Sequence, residues 1–121
     1  MTAVTWVAVA ALGSVAAVSR FLVGGWISAH ISSPFPVGTL VVNLSGALLL
    51  GLVAGVALSG NALVLVGAAT IGSYTTFSTW MLETHRLSAD GQKSMAVANV
   101  MVSIVLGVAA VALGRAIGGW L

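Results

Sequence analysis

Apolar residues in this 121-residue chain gather into four long runs instead of alternating with polar ones. The first covers about residues 4–28 and holds one charge, Arg20; the second, about 35–58, holds none. The third begins near Ala62, stays uncharged to Leu82 and continues as helix to about residue 86. The fourth covers about 94–118. Roughly 20 mostly apolar residues suffice for a helix to cross a bilayer. The pattern therefore predicts an all-α integral membrane protein, one domain over residues 1–121 with four transmembrane helices. SAHISSP, LSGN and LSADGQK connect the runs, and Pro34 and Pro36 suit a helix start, where a missing N–H is no loss. No segment shows the ten-residue alternation of a membrane β-barrel.

One stretch breaks the uniformity. In IGSYTTFSTWMLETHR, residues 71–86, a glycine and a series of hydroxyl-bearing residues occupy the middle of a span. GSYTTFST has low helix propensity, so the third helix is expected to break at mid-membrane. Freed carbonyls and amides are tolerable there only against protein or a cavity. Discontinuous transporter helices use such carbonyls to hold cations and their half-helix N-termini to favour anions. Four helices are few to enclose a break. An antiparallel pair of chains would supply the inverted repeat that larger transporters carry internally.

Composition agrees with this class. The chain is 60% hydrophobic and 5% charged, against about 25% charged in soluble domains. Its pI near 10 rests on four basic and two acidic residues, too few for a nucleic-acid surface. The absence of cysteine excludes disulfides and thiolate chemistry. The first run is expected to be a span and not a cleaved signal, because MTAVTW lacks a basic n-region. Trp6, Trp26 and Trp120 fall near helix ends as interface anchors, whereas Trp80 lies inside the third span. Arg86 and Lys93, with Arg20 if it is counted, stand against Arg115 alone on the other side. So small a bias barely sets orientation. It leaves open insertion both ways up, or a fixed orientation with the third loop in the cytoplasm.

Several polar groups inside the spans need partners. Isolated hydroxyls such as Thr39, Ser45 and Thr70 commonly bond back to their own helix. Arg20, Asn43 and Asn99 should face protein or water, because an ionisable group at mid-membrane costs at least about 2.5–3.5 kcal/mol. Asn99, Ser103 and Gly107 stand four residues apart on one stripe, and Asn43 and Gly46 share a face of the second helix. Close helix packing accounts for the glycines; it accounts less well for the asparagines.

SRF at 19–21, VGTLVVNLSG at 37–46, GSYTTFSTWMLE at 72–83 and ANVMVSIVLG at 98–107 together resemble the small bacterial fluoride channels of the Fluc (CrcB) family. The motifs keep the family's order and touch all four spans. The resemblance implies a dual-topology, antiparallel homodimer in the bacterial plasma membrane. Such a dimer exports fluoride passively through two narrow pores and carries a structural sodium ion on its two-fold axis. By position, Gly72 and Thr75 match the residues whose carbonyls hold that sodium, and Phe77 matches the first pore phenylalanine. Asn43 matches the pore asparagine, Arg20 the vestibule basic residue, and Ser103 a polar-track serine. Glu83 matches the glutamate after the aromatic pair, and Thr79, on its helical face, is a polar-track hydroxyl. Four positions depart from the family pattern: Trp80 for the second pore phenylalanine, Ser73 for a second glycine, Ala16 for glycine, and Asn99 where many members have tyrosine.

The chemistry suits fluoride. A small, strongly hydrated anion needs donors in place of water, which Asn43, Thr79 and Ser103 carry. Phe77 and Trp80 can present positive ring edges, and the indole N–H offers a further donor. Arg20 and a bound cation would raise the local potential. Without the surrounding motif, an aromatic pair at i, i+3 is ordinary packing. A small multidrug or proton-coupled exporter is the main alternative, but the first span has Arg20 and no carboxylate. A non-conducting assembly subunit, or one partner of a paralogue heterodimer, is also compatible. An enzyme is not, because no nucleophile–base–orienter set can be read.

Overall fold

The computed structural model describes all 121 residues, and every regular element is helical. Helix α1 covers Ala3–His30, where Thr2 Oγ1 accepts the Thr5 amide at 3.2 Å as the N-cap. Helix α2 covers Val37–Gly55. The third span, Gly60–Ala89, is broken as expected. Its first part, α3, takes residues 60–74 and its second, α4, takes Ser78–Ala89. Thr75, at ψ 163°, leaves the helix. Helix α5 covers Lys93–Trp120. All four spans are long and apolar enough to cross a membrane.

Two helix ends lie three residues from the sequence reading, and both follow from how the helices end. Helix α2 stops at Gly55 because Ala57 turns left-handed, at φ 57°. The Ala57 and Leu58 amides then bond back to the Ala54 and Val53 carbonyls at 3.2 and 3.5 Å, the closing pattern of a Schellman motif. Helix α4 runs three residues past Arg86, to Ala89. There the same pattern forms around Gly91, at φ 80°, with Gln92 bonding to Leu87 at 2.8 Å.

A feature not foreseen is the π-helical turn of Val64–Ile71 within α3. Its residues read as any apolar helix. Thr70 Oγ1 donates to the Leu65 carbonyl five residues back, at 2.7 Å, and so satisfies one carbonyl of the widened turn.

Helices α2 and α5 pack backbone to backbone. A Cβ on Gly114 would lie 2.1 Å from the Leu48 carbonyl oxygen, and one on Gly51 would lie 2.2 Å from that of Val111. Close approach of this kind is what small residues permit between membrane helices. The expected stripe of Asn99, Ser103 and Gly107 is not the seam: nothing in the chain lies within 4 Å of a Cβ on Gly107. Only 16 of 121 residues are buried, so most of the apolar surface is left for lipid or a second chain.

Candidate functional site

The helix break sits against α2 because Gly46 gives it room. A Cβ there would lie 2.2 Å from Thr75 Cγ2. One turn away, Asn43 holds the break on both sides of a single residue. Its Nδ2 donates to the Thr76 carbonyl and its Oδ1 accepts the Thr76 amide, each at 2.8 Å. The side chain thus supplies the donor and acceptor that the interrupted helix withdrew. An amide nitrogen carries two hydrogens, so Asn43 retains one for a ligand. Tyr74 OH and Ser45 Oγ add a second tie at 3.0 Å.

Because the Thr76 amide goes to Asn43, the Gly72 carbonyl loses the donor that a continuous helix would give it. The Thr75 carbonyl faces Arg20 Nη1 at 3.5 Å, at the outer limit of a hydrogen bond. Both residues line a depression of about 720 Å³ with Asn43, Phe77 and Trp80. Hard cations take oxygen ligands, and commonly six or more. The Gly72 and Thr75 carbonyls are oxygen donors of that kind, two per chain and short of a full shell on their own. No cluster of three or more His, Asp or Glu offers an alternative cation site.

A second cavity, of about 370 Å³, gathers Arg20, Thr39, Thr79, Glu83 and Arg86. Thr76 lines both hollows and connects them. Thr39 Oγ1 donates to Glu83 Oε1, which moderates the carboxylate. Two guanidiniums against one carboxylate leave this cavity net positive, a favourable field for an anion. Thr79 is exposed, and its amide donates to Thr76 Oγ1 at 3.2 Å.

Phe77 is 69% exposed, an open face for an aromatic ring. It meets Trp80 edge to face, with centroids 5.7 Å apart and planes at 82°. The Trp80 indole N–H does not point at this hollow as a free donor. It donates to the Asn99 carbonyl at 3.3 Å, so that candidate ion contact is corrected by a helix-to-helix bond. Ser103 also stands apart. It lines a third depression, of about 950 Å³, with Gly107 and Arg115. That depression adjoins the Phe77 hollow only through Ala47 and Val111.

The structure therefore brings Asn43, Phe77, Trp80, Gly72 and Thr75 to one hollow and Arg20, Thr79 and Glu83 to the next, with Ser103 elsewhere on the chain. Thr76 is the connecting residue that the sequence did not single out. Its place between Thr75 and Phe77 in the break was the available signal.

A family profile described as CrcB-like protein, Camphor Resistance (CrcB), matches residues 7–115. A fluoride-specific ion channel, FluC 2 of Mycolicibacterium paratuberculosis, is 55% identical over 94% of this chain and 93% of its own. FluC 2 of Mycobacterium tuberculosis is 49% identical over 95% of this chain and 91% of its own. FluC 1 of Symbiobacterium thermophilum is 40% identical over 94% and 97%.

Proposed function

The chain belongs to the CrcB family of fluoride-specific ion channels, and we propose that two copies inserted in opposite orientations form two pores for passive fluoride export. The observation that carries this reading is the exposed Phe77–Trp80 edge pair beside a helix break held by Asn43. Phe77 is 69% exposed in the single chain, and the polar groups of the break beside it, Asn43, Thr75 and Thr76, are covered by a second copy better than by lipid.

On this reading an anion collects in the net-positive cavity of Arg20 and Arg86 and exchanges water for the Thr79 hydroxyl. It passes Thr76 to the free Asn43 amide hydrogen and the ring edges of Phe77 and Trp80. Positive ring edges favour an anion without binding it tightly. Ser103 serves the route from across the paired surfaces. Glu83, which accepts from Thr39, lines the cavity and is outweighed in charge there by Arg20 and Arg86. The Gly72 and Thr75 carbonyls of both copies would hold a structural sodium ion, which would supply a fixed positive charge near the break. Two numbered FluC proteins occur in Symbiobacterium thermophilum, which supports a second reading in which the partner is a paralogue.

Reconstitution of the purified chain alone tests both. We expect a dimer in detergent, and liposomes that release fluoride far faster than chloride, followed by electrode. Fluoride-tight liposomes from a folded dimer would exclude the homomeric channel. Release only after a paralogue is added would favour the second reading.

A further inference from the structure

Between α4 and α5, Trp80, Thr84 and Asn99 close a ring of hydrogen bonds. Trp80 Nε1 donates to the backbone carbonyl of Asn99 at 3.3 Å. Asn99 Nδ2 donates to Thr84 Oγ1 at 2.8 Å, and Thr84 Oγ1 donates to the Trp80 carbonyl at 2.8 Å. The directions are mutually consistent. A hydroxyl has one hydrogen, which Thr84 gives to Trp80, so whatever else faces its oxygen must be a donor. The Asn99 amide is. Asn99 is only 1% exposed and lines none of the three hollows around the site.

We infer that Asn99 is a positioning residue for Trp80: its side-chain bond to Thr84 holds in place the α5 backbone carbonyl that accepts the indole N–H, fixes the indole as a wall beside Phe77, and so sets anion selectivity without touching the ion. This rests on the reading of Phe77 and Trp80 as pore walls. The physical ground is the rotamer freedom of a half-exposed side chain. An untethered indole on an open hollow samples several staggered positions, whereas this one keeps its N–H bond in a single pose. A wall of fixed position discriminates between anions of different size and hydration, and a mobile one adapts to both. Asn99 and Thr84 hold the α4–α5 register that brings the Asn99 carbonyl to the indole. The tryptophan and the asparagine therefore act as a pair.

A merely structural stitch between helices would change stability but not selectivity, and its effect would not depend on residue 80. The test is a functional double-mutant cycle on purified, reconstituted dimers. Fluoride and chloride efflux are measured for Asn99→Leu and Thr84→Val, each with tryptophan or with Trp80→Phe. With tryptophan present, each substitution should lower the fluoride-to-chloride ratio by about 3- to 30-fold. In the Trp80→Phe background, which has no indole N–H to hold, the same substitutions should change it less than about twofold. Equal effects in both backgrounds, or an unchanged ratio with tryptophan, overturn the inference. Thr84→Val keeps side-chain volume and carries the test should Asn99→Leu fail to fold.

A second measurement is independent of transport. Trp6→Phe, Trp26→Phe and Trp120→Phe together leave Trp80 as the only tryptophan. Its emission anisotropy should fall when Asn99→Leu or Thr84→Val is added, and an unchanged value overturns the tether. Liposomes of the unmodified chain that retain fluoride would sink the channel reading and the selectivity role with it. The anisotropy would still decide whether Asn99 fixes the indole.

Discussion

Asn43 and Phe77 stand on one hollow but do different physical work, and their variants should separate. Asn43 is bonded to both polar groups of Thr76. Asn43→Ala would strand a carbonyl and an amide in a part-buried break, at about 2–4 kcal/mol for the two bonds. We expect a lower thermal midpoint together with lost fluoride efflux. Phe77 is exposed in the single chain and its ring meets Trp80 by the edge alone. Phe77→Ala should leave the midpoint nearly unchanged while efflux falls by about 3- to 10-fold, the worth of one ring-edge contact expressed in the barrier. Thermal scans and efflux on the same preparations check both, and an unchanged midpoint in Asn43→Ala would remove its pinning role. The residue types at this site were legible because an uncharged amide and a hydroxyl run are out of place in lipid. The pairing was not. Asn43 and Thr76 are 33 positions apart, and no local pattern reports a contact that depends on how two helices cross. Likewise the indole N–H of Trp80 could be recognised as a donor from its type, but its acceptor on α5 could not.

At the scale of the element, the broken third span was written in its composition, because glycine and β-branched hydroxyl residues lower helix propensity over the whole of 72–79. The π-helical turn before it was not, since VLVGAATI has one glycine and otherwise reads as apolar helix. The glycine seams show the same limit. Every glycine stripe in the sequence was a candidate for close approach, and only the structure separates Gly51 and Gly114, against backbone, from Gly107, against nothing. Gly118 and Gly119 make the contrast testable on adjacent residues. A Cβ on Gly118 would lie 2.4 Å from the Leu52 carbonyl oxygen, whereas one on Gly119 meets nothing within 4 Å. Overpacking a tight contact costs about 1–3 kcal/mol, more when the obstruction is backbone that cannot rotate away. Gly118→Ala and Gly114→Ala should both reduce the folded yield and lower the thermal midpoint by several degrees. Gly119→Ala should match the parent, since its methyl enters open space. Equal stability of Gly118→Ala and Gly119→Ala would mean that α2 and α5 do not approach this closely.

For the whole molecule, the question is what covers the faces that the chain leaves open. Membrane helices need no burial to be soluble in lipid, so exposed valines and leucines along α1 and α5 require no partner. Polar groups on an open face are different, because lipid cannot satisfy them. The small-residue stripe of Ser103 and Gly107 lines a broad depression of α5 that Ala47 of α2 borders and Arg115 closes at one end, and nothing in the chain lies within 4 Å of a Cβ on Gly107. A second copy in the opposite orientation would bring its own helices against that stripe and place Ser103 next to the Phe77 hollow of its mate. Gly107→Leu distinguishes this from a lipid-facing stripe. Nothing in the single chain lies within 4 Å of a Cβ at Gly107, so the thermal midpoint of the monomer should hold. Filling the depression should displace the mate, weakening dimerisation about tenfold or more and reducing fluoride efflux in proportion to the dimer lost. Dimer fraction against detergent dilution, read beside efflux, checks this. An undiminished dimer carrying Gly107→Leu would assign the stripe to lipid and require Ser103 to reach the ion from within its own chain.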